Sequence, residues 1–174
     1  LGIRNFPEGT IVCSETQKKG RGRLGRTWLS PKYKGLYFSF LLRPNILPNQ
    51  APQLTILSAV AVREAISFVT NLECLIKWPN DILVNEKKVG GILTEMQAET
   101  DKVKFIIIGI GINVNTEKDI LPLQATSLKE EKKENINRIE LLKEILRRVE
   151  KYYLLFKKNG FSPIVEEWKK YSSI

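Results

Sequence analysis

The sequence lacks histidine altogether, and its two cysteines, Cys13 and Cys74, stand apart without a C-x-x-C pair. These absences exclude zinc sites built from cysteine and histidine, and every catalytic scheme that needs an imidazole. Two isolated cysteines are typical of small buried hydrophobes in a reducing compartment. The sequence also lacks a G-x-x-x-x-G-K-[ST] motif, which excludes a P-loop nucleotide site.

Long apolar runs and targeting patterns are also missing from the sequence. No apolar run approaches the roughly 18 residues of a membrane span, and no signal-peptide pattern opens the chain. We therefore expect a cytoplasmic protein without a membrane partner. The 174 residues suffice for one hydrophobic core, and no repeat or linker divides them, so we predict a single domain over residues 1–174. Because the chain begins at Leu1 rather than at a methionine, we expect that an upstream segment is missing.

Positive charge is what the sequence has in excess, with a formal net charge of +9. Five basic side chains fall within nine residues of the segment Gln17–Trp28, which reads QKKGRGRLGRTW and also holds three glycines. Like charges at this density repel one another, and each glycine adds backbone freedom that folding must remove. We therefore expect this segment, the basic glycine loop, to gain little from packing on a core and much from closing on an anion.

The basic glycine loop contains a literal G-x-G-x-x-G, which would suggest a dinucleotide site. That site needs a helix to begin within the motif and an acidic residue about 20 positions later. Instead Pro31 follows, and Gly35–Arg43 holds no acidic residue. Three interpretations of the loop alone stay open: an arm that binds nucleic-acid phosphates, a clamp on a small anionic ligand, or a solvated surface loop.

The apolar periodicity predicts an α+β fold, with a mixed, largely antiparallel sheet and helices on one side. The strands are expected at Thr10–Thr16, Leu36–Leu42, Leu75–Lys77, Ile82–Val84, Val89–Met96 and Lys104–Ile110. The helices are expected from about Pro52 to Thr70, from the N-cap Asn137 to Gly160, and from Ser162 onward. A hairpin is expected at Asn85–Lys87, a surface loop at Asn115–Asn135, and a strand covered on both faces at Ile106–Ile108.

Three further stretches combine polar side chains with glycine or proline. In Lys77-Trp78-Pro79-Asn80-Asp81, the proline restricts the backbone, so the turn either presents Lys77 and Asp81 to a pocket or simply joins two strands. In KVGGIL, which begins at Lys88 and is followed by Glu95, paired glycines weaken a strand unless a ligand or another backbone passes close by. In GIGINVN, Asn113 offers amide donors and an acceptor, although a bend at the sheet edge would also explain the glycines.

Taken together, these stretches resemble the biotin–protein ligases, also called biotin–[acetyl-CoA-carboxylase] ligases. The family's hallmarks are a Gly-Arg-Gly-Arg-x-Gly-Arg-x-Trp loop, a Lys-Trp-Pro-Asn-Asp turn, a Lys-x-x-Gly-Ile-Leu-x-Glu strand and a Gly-x-Gly-x-Asn strand end. All four occur here in the family's order and spacing, over almost the whole chain. The resemblance implies a class II aminoacyl-tRNA synthetase/biotin ligase-like catalytic domain. It also implies a ligase that makes biotinyl-5′-AMP from biotin and ATP, with release of pyrophosphate, and then transfers biotin to a carrier lysine.

The resemblance also implies the site residues. Biotin would be held by Gln17, Gly20, Arg21, Gly22, Arg23, Lys88 and Gly91. ATP and the adenylate would be held by Arg21, Arg23, Arg26, Trp28, Lys88 and Asn113, with Trp28 over the adenine. The catalytic residues would be Lys88, Arg23, Asp81 and Lys77, with the last two where the acceptor lysine arrives. Mg²⁺ would accompany ATP, and no protein side chain is expected as a direct metal ligand.

The implied partners are a biotin carboxyl carrier domain and a second copy of the chain in a homodimer. DNA would be a partner only if a repressor domain precedes Leu1. Two family features are absent from the sequence: the Ser-Thr-Asn motif upstream of the loop, and the small β domain expected after Ile174. The competing hypothesis is a nucleic-acid-binding module that uses the same basic glycine loop.

Overall fold

The computed structural model describes residues 5–173 and contains one six-stranded sheet in the order β1-β2-β6-β5-β4-β3. Its strands are β1 (Ile11–Ser14), β2 (Leu36–Leu42), β3 (Leu75–Lys77), β4 (Asp81–Val84), β5 (Lys87–Ala98) and β6 (Val103–Ile112). All five strand pairings are antiparallel. The helices are α1 (Ala51–Thr70), α2 (Leu128–Lys132), α3 (Arg138–Asn159) and α4 (Ser162–Tyr171). The expected α+β fold is confirmed, whereas Leu1 lies outside the described residues.

The hydrophobic core lies between one face of the sheet and the helices. Helix α1 packs on β3, β4, β5 and β6, and on its other side it packs against α3 and α4. Alternate residues of β2 face this core, as the sequence predicts, with Phe38 and Phe40 almost fully buried. The opposite face of the sheet is therefore the one that can receive a ligand.

Helix α1 differs from the expectation that no apolar run approaches a membrane span. By length and composition alone, Pro48–Thr70 is long and apolar enough to cross a membrane. In the structure, however, Leu54, Leu57 and Ile66 are fully buried in the core. This burial is that of a central core helix, for which uniform hydrophobicity is normal.

Three further expectations are wrong in detail. A short helix, α2, begins after the N-cap Ser127 inside the stretch expected to be a surface loop. Cys74 is buried as expected, but Cys13 on the edge strand β1 is exposed. Ile107 is only half-buried, because the helices cover one face of β6 and its other face looks onto the cleft described below.

The N-cap of α3 supports a stability prediction. Asn137 Oδ1 accepts hydrogen bonds from the backbone N–H groups of Ile139 at 3.0 Å and Glu140 at 3.2 Å. We expect Asn137→Ala to lower the free energy of unfolding by about 1 kcal/mol, because those two N–H groups lose their acceptor. Denaturant unfolding measures the change, with Asn135→Ala as an exposed control that should match the parent. An unchanged midpoint for the Asn137 variant would contradict the assignment.

Candidate active site

A row of paired residues crosses the ligand-facing side of the sheet from edge to edge. The strand register aligns six residues, one from each strand, in the order Ser14, Tyr37, Gly111, Gly91, Asp81 and Lys77. Paired residues in antiparallel strands project from the same face. The two central members lack side chains, so the middle of the row is a shallow floor, the glycine floor of Gly91 and Gly111. Polar side chains rise beyond it at both ends.

A cleft of about 1070 Å³ lies over the glycine floor. This volume is at the upper end of the range of about 300–1,000 Å³ that is usual for small-molecule sites. Its walls are the basic glycine loop, the turn before β4, the start of β5 and residues 121–125. At the β2 position of the row, burial raises the pKa of Tyr37 to about 12, with Glu15 contributing and Arg138 opposing. Its hydroxyl donates a hydrogen bond to the carbonyl of Pro31.

A β-bulge aims Lys88 into this cleft. Ile82 pairs with Gly90, but the next residue, Leu83, pairs with Lys88, so Val89 is an extra residue in β5. Val89 is fully buried in the core. Because of this extra residue, Lys88 projects from the face opposite to the one that regular alternation would give it. Without the bulge, Lys88 and Gly91 would project from opposite faces. With it, the Lys88 ammonium lies 3.4 Å from the place a Cβ on Gly91 would occupy.

Lys88 and Asp81 form an ion pair beside the glycine floor. The ammonium lies 2.7 Å from Asp81 Oδ1, and the two side chains are only 33% and 26% exposed. The main chain of Lys88 is also fixed, because its N–H donates to the carbonyl of Gln124 and its carbonyl accepts from the N–H of Thr126. The site therefore holds a restrained cation with a carboxylate as its present partner.

The basic glycine loop is a small hairpin rather than an irregular segment. The N–H of Trp28 donates to the carbonyl of Gly20 at 2.9 Å, and the N–H of Gly22 donates to the carbonyl of Arg26 at 2.7 Å. Its tip is a single 3-10 turn in which Leu24 is 89% exposed. A Cβ on Gly20 would overlap the carbonyl oxygen of Trp28, so only glycine allows this closure.

Two loop arginines tie the hairpin to the sheet. Arg21 Nη2 lies 2.8 Å from Glu95 Oε2 on β5. Arg23 Nη1 donates to Asn80 Oδ1 at 3.0 Å. Arg21 therefore ends on β5, the strand that carries Lys88, and Arg23 ends on the turn directly before Asp81.

The base of the hairpin is held by Ser30, a residue that the sequence analysis did not single out. Ser30 Oγ donates to Gln17 Oε1 at 2.8 Å, and the Ser30 carbonyl accepts from the Thr16 hydroxyl at 2.7 Å. These bonds direct the side chain of Gln17 toward the cleft wall beside Gly20. A sequence signal for this contact is lacking, because the two side chains are thirteen residues apart.

Trp28 lies directly on the glycine floor. A Cβ on Gly111 would come within 2.6 Å of its ring, and a Cβ on Gly91 within 3.3 Å. The Lys88 ammonium stands 5.5 Å from the ring centroid. Trp28 Nε1 is buried, without a hydrogen-bond partner among the described residues. The indole thus rests where the resemblance expects biotin to lie against β5, beside its expected place over the adenine.

Asn113 lines the cleft directly after the end of β6. It is nearly buried, and its Nδ2 donates to the carbonyl of Thr126 at 3.1 Å. One amide hydrogen and the amide oxygen then remain as bonding capacity toward a ligand. Residues 121–125 form a wall here, although they fall within Asn115–Asn135, which was expected to be a polar, irregular surface loop.

The structure brings most of the predicted site residues around one cleft. Lys77 sits at the edge of the sheet, opposite Asp81, and is exposed. Arg26 is also exposed, and its carbonyl accepts the hydrogen bond from the N–H of Gly22 that helps to close the hairpin. Glu95 and Asn80 were part of the quoted motifs, but no role was expected for them.

The donor set does not suit a metal held by protein side chains alone. Within residues 5–173, no group of three or more cysteine, aspartate or glutamate side chains is placed to hold a metal ion. Of the three carboxylates that line the cleft, Asp81 and Glu95 are each paired with a cation, and Glu86 lies in the exposed turn before β5. A divalent ion would therefore have to be bound mainly through a ligand's own oxygens, as is usual for Mg²⁺ at phosphates.

Comparison with known proteins agrees with these motifs. The model of the biotin/lipoate A/B protein ligase family matches residues 1–113. The bifunctional ligase/repressor BirA of Bacillus spizizenii is 47% identical over 176 residues, covering 99% of this chain and 54% of that protein. The biotin–[acetyl-CoA-carboxylase] ligase of Paracoccus denitrificans is 36% identical over 107 residues, covering 59% of this chain and 43% of that protein.

A solved structure shows the same architecture. The biotin protein ligase from Aquifex aeolicus in complex with biotin and ATP superposes with a TM-score of 0.85 at 36% identity, covering 97% of this chain and 71% of that one. The chain spans about half the length of the curated relatives it matches. The family match extends over more than half of the chain and includes the basic glycine loop, the Lys-Trp-Pro-Asn-Asp turn and the β5 glycines. The chain therefore belongs to the biotin/lipoate A/B protein ligase family, among its biotin ligases, as the sequence motifs predict.

Proposed function

We propose that this chain is the catalytic part of an ATP-dependent biotin–protein ligase. The observation that carries the proposal is the convergence of Lys88, Arg21 and Arg23 on a cleft whose floor is formed by Gly91 and Gly111. Cations beside a side-chain-free floor suit a ligand in which an uncharged ring system lies next to an anionic group, as in biotin joined to a nucleotide phosphate. The similarity to a ligase structure that contains biotin and ATP supports the same ligands here.

In the first step, a carboxylate oxygen of biotin attacks the α-phosphorus of ATP. A bond forms between the carboxylate oxygen and the α-phosphorus. The bond between the α-phosphorus and the oxygen that bridges it to the β-phosphorus breaks, and pyrophosphate leaves. Two anions must approach each other, so positioned cations lower the barrier and no side-chain nucleophile is required. We assign this role to Lys88, which would contact the carboxylate and α-phosphate oxygens, with Arg23 and Arg21 alongside. This explains how a chain without histidine can catalyse the reaction.

In the second step, the amine of the acceptor lysine attacks the biotinyl carbonyl carbon, and the bond to AMP breaks. Asp81 would orient that amine, and Lys77 would lie where the acceptor enters the cleft. Both residues lie at the β3 end of the row, which is an edge of the sheet. Asp81 is paired with Lys88 in the structure, at 2.7 Å. When Lys88 moves to the phosphate oxygens, the carboxylate becomes available for the incoming amine. The two residues would thus act in succession.

The hairpin and Trp28 would enclose the reactive anhydride. Exclusion of water protects such an intermediate from hydrolysis. Gln17, Gly20 and Gly22 would face biotin. Trp28 would move from the glycine floor to cover the adenine, whose edge Asn113 would contact.

The remaining parts of the proposal are carried by the family resemblance. Mg²⁺ would enter with ATP as its phosphate-bound ion. The acceptor would be a biotin carboxyl carrier domain, in keeping with the name of the Paracoccus denitrificans relative. A homodimer and a cytoplasmic location are proposed on the same basis.

Calorimetric titration of the full-length protein tests the proposal. Biotin followed by MgATP should bind tightly, release pyrophosphate and raise the unfolding temperature, since a ligand at 100 times its Kd stabilises by about 2.7 kcal/mol. Salt-dependent binding to random DNA with no response to biotin plus MgATP would instead favour the nucleic-acid module.

Replacing Arg23 with glycine should weaken retention of the adenylate. Loss of one hydrogen bond to a charged group costs about 1.5–3 kcal/mol, so we expect the adenylate to dissociate about 10–100-fold faster. The rate is followed by trapping released biotinyl-AMP. Lys32→Gly, at an exposed residue outside the hairpin, is the control and should match the parent. Dissociation as slow as in the parent would refute the clamp.

A further inference from the structure

We propose that Asn80 is a positioning residue for retention of the adenylate, which holds Arg23 over the cleft through its side-chain oxygen. The inference rests on the proposed function, in which Arg23 contacts the adenylate. Asn80 belongs to the Lys-Trp-Pro-Asn-Asp turn, directly before Asp81 and the start of β4. It would therefore act through Arg23 rather than on a ligand.

The orientation of the Asn80 amide is determined by its bonds to β5. Nδ2 donates to the carbonyl of Ile92 at 2.9 Å, and the N–H of Ile92 donates back to the Asn80 carbonyl at 2.9 Å. Because Nδ2 must face a carbonyl oxygen, Oδ1 is left pointing the other way, where Arg23 Nη1 meets it at 3.0 Å. A carboxylate at this position would face the Ile92 carbonyl with an acceptor and lose that bond.

This contact links the hairpin to the turn that precedes β4. The hairpin also contacts β5 through Arg21 and Glu95, whose side chains are 69% and 45% exposed, and exposed pairs contribute little. The Arg23–Asn80 bond is exposed as well, so its geometry depends on how firmly Asn80 itself is held. Asn80 is anchored by two hydrogen bonds to Ile92 on β5. Its neighbour Asp81 holds Lys88, and Ile92 follows Gly91 of the glycine floor. Asn80 therefore fixes the position of Arg23 relative to both Lys88 and the glycine floor.

The test is a double-mutant cycle that combines variants of Asn80 and Arg23 in the full-length protein. The quantity measured is the rate at which biotinyl-AMP dissociates. We expect Asn80→Ala to accelerate dissociation about three- to tenfold, and Arg23→Ala to accelerate it more, as loss of a charged hydrogen bond predicts. If Asn80 acts through Arg23, adding Asn80→Ala to Arg23→Ala should change the rate no further. The unfolding temperature is measured in parallel, since a purely structural loss would lower it equally in both backgrounds. Asn71→Gly, at the left-handed C-cap of α1, is the matched control and should behave as the parent.

Two results would overturn the inference. Dissociation from the Asn80 variant at the parent rate would show that Arg23 needs no such support. An equal acceleration in the presence and absence of Arg23 would show that Asn80 matters for the fold alone. In both cases the parent still forms the adenylate, whereas a parent that forms none would overturn the proposed function and this inference with it.

Discussion

Lys88→Ala is expected to lower the rate of biotinyl-adenylate formation by about a thousandfold, the loss usual when one preorganised charge-stabilising group is removed. The bulge in β5 directs this ammonium onto the cleft side of the sheet, where it meets Asp81 at 2.7 Å. No other described lysine is held in this way by both its side chain and its main chain at the glycine floor. Release of pyrophosphate from ATP in the presence of biotin measures the effect.

The fold should survive this change. The Lys88 side chain is one-third exposed, and its main-chain bonds to Gln124 and Thr126 do not depend on the side chain. The unfolding temperature should therefore stay close to that of the parent. Lys102→Ala, in the exposed turn between β5 and β6, removes a lysine outside the cleft and should leave the rate unchanged. Pyrophosphate release at the parent rate from the Lys88 variant would refute its assignment.

Gly20→Ala should have the second largest effect, because a single methyl group would prevent the hairpin from closing. The added Cβ would overlap the carbonyl oxygen of Trp28 and come within 3.0 Å of Gln17 Oε1 and Ser30 Oγ. A main-chain oxygen cannot rotate away, and overpacking of this kind costs about 1–3 kcal/mol. We expect biotin affinity to fall about 10–100-fold, as measured by calorimetry, with little change in global stability because the hairpin lies outside the core.

Gly25→Ala at the hairpin tip is the matched control. Its φ of +72° disfavours alanine by about 1 kcal/mol, yet no atom lies within 4 Å of the new Cβ. Biotin affinity should therefore fall far less than in the Gly20 variant. Equal losses in the two variants would mean that general loop strain, rather than closure at Gly20, controls binding.

The fold was largely predictable from the sequence because its elements have clear local signals. The alternating pattern of β2 and the bounds of β3 were confirmed, and the Asn85–Glu86 turn joins β4 to β5 with both residues at positive φ, as a tight hairpin requires. Helix α2 was missed because it is a short polar segment whose N-cap, Ser127, lies in an otherwise irregular stretch. Its position depends on the bonds of Ser127 and Leu128 to Thr116 and Asn113, which are distant in sequence.

The site was predictable only as a set of residues. Motifs indicated Lys88, Asp81, Asn113 and the arginines, but not which of them touch. The Lys88–Asp81 pair depends on an extra residue in β5, and periodicity alone would have placed Lys88 and Gly91 on opposite faces. The contact of Trp28 with Gly111 joins residues 83 positions apart, and only the folded hairpin brings them together. Such long-range pairings leave no local signal.

The bulge in β5 means that the position of the charge depends on how the strand pairs as well as on residue type. If Val89 were paired as an ordinary strand residue, the faces would alternate without a break and Lys88 would turn toward the apolar layer beneath α1. A one-residue slip in the pairing of β4 with the start of β5 would therefore move the cation off the cleft while every motif residue stayed in the sequence. Matching motif residues thus imply matching chemistry only where the bulge is kept.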